Sequence, residues 1–295
     1  MNSFNRRAVF LGISAVGVSM LPGLPQAMSD ETRQSAENKI RHAARERMLV
    51  EDIVKDACLI HLGVRPAHYL EKIAADIEEF DSVVRGLQYG DAERQMQRET
   101  SGAVVTALRQ ANALWLPFRD TARQILAERK VDAETLAALN VADGAILEKL
   151  DAVVFALERR YGDKLLPLSA VVATKLTVKE ATLVQRIAKQ ACYITAGVEA
   201  EAMRKTMPQL VAEFENTMMA LANGFAPLGL EAPTDPAHQA QWHLIAEEWQ
   251  AFKALVQPVL DGGTLDVEAL AALGEQTERS VAAIEAAVTF YRAGV

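Results

Sequence analysis

From about residue 30 onward, apolar residues recur at three- and four-residue spacing, the period of helices with one oily face. Ser29-Asp30-Glu31 opens the first with acid near the positive end of the helix dipole. Val50, Ile53, Ala57, Ile60 and Val64 then mark its apolar face, up to a left-handed cap expected at Gly63. Arg65-Pro66 starts a second helix, with Leu70, Ile73, Ile77, Phe80, Val84 and Leu87 inside and Gly90 at its close. A third, from about Gly102 to Arg129, carries Leu108, Ala111, Trp115, Phe118, Ala122 and Ile125, and Pro117 can kink it. Asp132 reads as the N-cap of a fourth, striped by Ala137, Ile146, Leu150, Val154 and Leu157. No segment alternates with period two, so no sheet is predicted.

The pattern then repeats. Shifting the chain by 134 residues without a gap aligns residues 45–64 with 179–198. Glu46 falls on Glu180, Lys55 on Lys189, Cys58 on Cys192 and Gly63 on Gly197. Farther on, Trp115 falls on Trp249, Phe118 on Phe252, and the run from Asp132 to Leu139 on that from Asp266 to Leu273. This register marks a tandem duplication. The second set of helices is expected near 168–196, 200–222, 236–260 and 266–293, with Asp235-Pro236 as a cap-plus-proline start. Gly162-Asp163-Lys164 to Pro167-Leu168 is the expected hinge. Short links favour antiparallel neighbours, so the predicted fold is all-α, two tandem up-down four-helix bundles over residues 30–161 and 162–295.

Composition adds three constraints. A net charge of −8 does not suit phosphate backbones, so no nucleic acid partner is expected. Residues 1–29 hold Arg6-Arg7, an apolar run from Ala8 to Leu21 and a Pro-rich end, which read as a signal peptide. Arg6-Arg7-Ala8-Val9-Phe10-Leu11 resembles a twin-arginine signal, with Asn5 where Ser or Thr is usual. The apolar run is too short to span a bilayer well and none of spanning length follows, so a soluble periplasmic mature chain is expected. That compartment permits disulfides. A Cys58–Cys192 bond requires the two first helices to meet with Cα atoms within about 7 Å. The residues alone favour two separate buried thiols.

The stretch from Ile40 to Lys55, with Arg45, Arg47-Met48-Leu49, Ile53 and Lys55, resembles the motif I-N-x-A-G-R-Q-R-M-L-S-Q-R-I-A-K. That motif marks the PilJ-type domain, the N-terminal ligand-binding domain of type IV pili methyl-accepting chemotaxis transducers, related to the NarX-type nitrate/nitrite sensors. Leu114-Trp115-x-x-Phe118 is similar to its third helix. The resemblance implies a periplasmic helical sensor module in two copies. It also implies an arginine on the first helix that grips nitrate or nitrite with its symmetry mate. By position that residue is Arg47, and a guanidinium fork suits a planar oxyanion. This chain departs from the motif at Glu46, Val50, Glu51 and Asp52, which add carboxylates, and at Ala181, which stands where Arg47 has its counterpart. A small-anion site therefore draws on Arg47 and Arg45 with Lys179 or Arg186, or on a homodimer. The competing expectation is that Arg41, Arg45 and Arg47 form a solvated face offset by neighbouring acids.

No other chemistry is legible. None of the five histidines repeats between the copies, and no Glu-x-x-His pair or Cys-x-x-Cys-His run exists, so neither metal nor cofactor is expected. Gly-x-Ser-x-Gly and phosphate-loop patterns are absent, so no enzyme is expected. Trp115 and Trp249 read as core. The leading expectation is an exported ligand-sensing protein that signals to a membrane sensor or transducer. The alternative is a ligand-free helical module that docks such a partner.

Overall fold

A computed structural model describes residues 30–165 and 167–291; the expected signal over 1–29 lies outside them. Eight α-helices account for nearly all of it: α1 (Asp30–His61), α2 (Pro66–Tyr89), α3 (Gly102–Glu128), α4 (Ala133–Leu165), α5 (Leu168–Ala196), α6 (Ala200–Asn223), α7 (Pro236–Leu260) and α8 (Val267–Ala287). Short 3-10 turns cover Ala226–Leu228 and Val288–Tyr291. Among the described residues there is no strand, only two isolated bridges, Asp91 with Met96 and Phe225 with Leu230. The helices pack as an all-α bundle: α1 packs on α2 and α4, α5 packs on α6 and α8, and α1 also packs closely along α5.

The local signals act as their chemistry dictates. Asp132 and Asp266 each accept a backbone N–H three residues on, from Thr135 and Ala269 at 2.8 Å. Gly63 and Gly197 take φ of +74° and +73°, where a Cβ would be strained. They let the Val64 and Val198 amides reach back to the Leu59 and Tyr193 carbonyls.

Two boundaries differ from expectation. The expected hinge shrinks, because α4 runs on through Gly162 to Leu165 and α5 begins just after Pro167. The last helix stops early, at Ala287. The chain tightens there into the 3-10 turn, which stacks Phe290 on the His238 ring and brings the Tyr291 hydroxyl to Trp242 Nε1 at 3.2 Å.

Each unit is built around the same aromatic stack. Trp115 lies on Phe80 at 3.7 Å and donates to Asp81 at 2.8 Å. Trp249 lies on Phe214 at 3.9 Å and donates to Glu215 at 3.2 Å. A cation closes each acceptor, Arg119 on Asp81 and Lys253 on Glu215. All these pairs obey the 134-residue offset.

The units meet through α1 and α5, which run side by side in the same direction. Glu51 faces Arg186 and, farther along, Cys58 faces Cys192. Those cysteines are bonded, with Cα atoms 6.2 Å apart, which corrects the expectation of two separate thiols. The reason is the seam itself: equivalent residues of two parallel helices approach each other across it. Because α1 packs on its own unit and on α5, residues 46–60 are buried on every side, not on one face alone.

Candidate functional site

Burying a helix that carries this much charge demands partners for each group. Glu51, fully buried, is held by Arg186 at 2.5 Å and Lys189 at 2.7 Å. Burial alone would raise its carboxyl, but those two cations keep it below the usual range. Lys189 also binds Asp143 of α4 at 2.5 Å. Burial, then the nearby Glu51 charge, pushes Asp143 up to about 6.

On the other side of α1, Asp52, Asp56 and Asp76 bring carboxylate oxygens within 4.8 Å of one another, close enough to hold a cation. A cation of the chain already stands among them. Lys55 lies 2.6 Å from Asp52 and 2.9 Å from Asp56, and Lys72 lies 3.6 Å from Asp52. Burial and the Asp52 charge still push Asp56 up to about 7. The donor set fits an internal ammonium better than a metal ion.

Glu46 and Glu180 occupy one repeat position and share one predicament. Both are buried, and none of their four carboxyl oxygens has a hydrogen-bond partner. Burial, chiefly, pushes both well above the ordinary range, which favours the neutral acid.

The four predicted anion ligands are not gathered together. Arg47 is buried; its Nη1 meets Asp151 of α4 at 2.5 Å, its Nε donates to the Ala44 carbonyl at 3.2 Å, and its Nη2 has no partner. Arg45 binds Glu285 of α8 at 2.5 Å and Glu79 at 3.6 Å. Lys179 pairs with Glu213, the repeat counterpart of the Arg45–Glu79 bridge. Arg186 is taken by Glu51. The solvated arginine face is thus corrected for Arg47, which points inward because α1 has no free side at that level.

A cavity of about 200 Å³ does open along the seam, between α1, α5 and α8. Its polar wall is Arg41, His42 and Arg45 of α1, with Thr177 of α5 and Glu285 of α8. The remaining wall is Met48, Val178, Ala181, Ile284 and Val288, all buried and apolar. Arg41 Nη2 lies 3.1 Å from Asn38 Oδ1 and 3.3 Å from His42 Nε2. Burial, then Arg41, lowers His42 to about 4, so the ring is neutral at pH 7. Accepting from Arg41 at Nε2 leaves the proton on Nδ1, which is buried without a partner.

The repeat explains why space exists here. Arg47 and Asp151 fill the α4 side of the seam. Their counterparts on the α8 side are Ala181 and Glu285, so a whole guanidinium side chain is missing. Arg45 crosses from α1 to satisfy Glu285 instead. Sequence reasoning missed Arg41, His42 and Glu285 as wall residues. The mismatch of Arg47 with Ala181, beside an acid kept in both copies, was the signal that pointed to them.

No curated protein and no solved structure matches the chain. A family model does match, that of the type IV pili methyl-accepting chemotaxis transducer N-terminal region, PilJ, over residues 182–285. That span runs from within α5 to the last turn of α8. Over that span the chain is similar to the PilJ-type domain.

Proposed function

We propose that this chain is an exported, sensor-type binding protein made of two PilJ-like units, residues 30–161 and 162–295, and that the seam cavity between α1, α5 and α8 takes a small anion. The observation that carries this reading is the trio Arg41, His42 and Arg45 along one wall of that cavity. The lining carries two guanidinium groups and one carboxylate, Glu285, and a second acid, Glu79, reaches Arg45 from outside it. Within the lining that balance favours a monoanion. The cavity also lies at the level of Ala181, the repeat counterpart of the arginine that the resemblance assigns to the anion.

Export is favoured by the signal-like residues 1–29 and by the bonding of Cys58 to Cys192, since such bonds persist in oxidising compartments. No helix of the described residues is long and apolar enough to cross a membrane; in this reading the state of the seam passes to a membrane-bound sensor or transducer by contact. The test is calorimetric titration and thermal unfolding of the mature chain with nitrate, nitrite and small carboxylates. A specific ligand raises the melting temperature with concentration, by the equivalent of about 2.7 kcal/mol at a hundredfold excess over Kd. Arg45→Gln should weaken that binding roughly tenfold, the loss of one charge-assisted hydrogen bond. If no anion moves the transition, the sensing reading fails and the ligand-free docking module takes its place.

A further inference from the structure

We propose that the occupant of the seam cavity is an amphiphilic monocarboxylate of about four to six carbons, not a bare inorganic oxyanion; this rests on the reading of the seam as an anion site. The argument starts from size. A site for one water needs roughly 10–15 Å³ of such space. The seam offers about 200 Å³, far more than a planar oxyanion of four atoms fills.

Two departures from the repeat fall at this one place and both make room. Ala181 removes the side chain that Arg47 supplies on the other side. The helix that would carry on past Ala287, as α4 does past the equivalent Val153, instead turns into the 3-10 segment that places Val288 on the cavity wall.

The chemistry is divided between the two ends. Arg41 and Arg45 supply donors to a carboxylate, whereas the Thr177 hydroxyl already donates to the Ala173 carbonyl at 2.9 Å. Met48, Val178, Ile284 and Val288 give the rest of the cavity nothing polar to bind. A bare anion would leave that wall wet. A dianion would press its second charge against it, and an amine would face two guanidinium groups. An aliphatic tail of a few carbons removes the apolar wall from water while the carboxylate keeps the donors.

The experiment titrates the mature chain with nitrate, acetate, butyrate, pentanoate and pentylamine. The expected result is affinity rising roughly fourfold per added methylene from acetate to pentanoate, with nitrate weaker than butyrate and no binding of pentylamine. Ala181→Arg, which restores the side chain present at Arg47, should cost at least tenfold in pentanoate affinity. Arg41→Gln should weaken every carboxylate by a similar factor without changing the increment per methylene, and it keeps the test decisive if Ala181→Arg does not fold. Nitrate binding as tightly as pentanoate, or affinity flat along the series, overturns this inference while leaving the anion site standing. Binding of no anion removes both. Pentanoate binding that a folded Ala181→Arg leaves unchanged places the ligand elsewhere and also overturns it.

Discussion

In the first unit Trp115 stacks on Phe80 and its indole donates to Asp81; in the second Trp249 stacks on Phe214 and donates to Glu215. Asp and Glu, Arg119 and Lys253 exchange freely around these rings because geometry and charge are kept. At the seam the same two units diverge. Arg47 meets Asp151 on one side, while Ala181 faces Glu285 across open space on the other. The difference teaches where constraint lies. Each interior must close on its own aromatic stack, so both copies keep it. The seam is one interface with two sides, and one side can hold the units together while the other opens.

The first way to test that contrast is to truncate the rings. Trp115→Ala and Trp249→Ala should each cost about 3–5 kcal/mol of stability, read from denaturant unfolding. Equal losses are expected from equal environments, and a large inequality would break the comparison. Next comes the bond that ties the seam. Replacing Cys58 and Cys192 by Ser, or reducing the native chain, should cost about 2–5 kcal/mol. Far-ultraviolet dichroism should be retained before unfolding, because one buried apolar cluster runs through both sets of helices.

Arg47→Ala should cost about 1.5–3 kcal/mol, since it removes charge-assisted contacts of a buried guanidinium. Its partner Asp151 is largely exposed, which keeps the loss below that of a fully buried pair. Ala181→Arg should recover part of that loss in the double variant if the two sides of the seam are truly interchangeable.

The smallest effect, and the most dependent on pH, belongs to Glu46 and Glu180. Both have an ordinary value near 4.5 and are raised well above it in the fold, burial being the main cause. The folded chain then holds more protons than the unfolded one between those values, so stability falls as pH rises through that window. Glu46→Gln and Glu180→Gln remove the dependence. Each should leave stability near pH 4 almost unchanged and improve it toward neutrality, by at most about 1.4 kcal/mol per pH unit. Melting curves at several pH values that run parallel to the native chain would show that these carboxyls are hydrated.

Much of this was legible without coordinates. Periodicity, caps such as Asp132 and Gly63, and the register of Trp115 with Trp249 are local or self-referential, so a linear reading finds them. The polar residues of α1 misled for a physical reason. Arg47, Glu51 and Asp52 lie off the apolar stripe, and a stripe with charges beside it normally means a solvated face. Here Glu51 faces a second helix that carries Arg186 and Lys189, while Arg47 meets Asp151 of α4 and Asp52 meets Lys72 of α2. No local window can contain those partners.

The amino-acid order by itself determined eight helices in two matched sets, most of their ends, and the rings each set would bury, because those follow from period, capping chemistry and internal repetition. Only the tertiary structure decided that α1 and α5 lie parallel at the centre, that Cys58 reaches Cys192, and that the void left at Ala181 is lined by Arg41, His42 and Arg45. Those outcomes depend on how two preformed surfaces meet, and the energy of that meeting is shared among residues far apart in the chain.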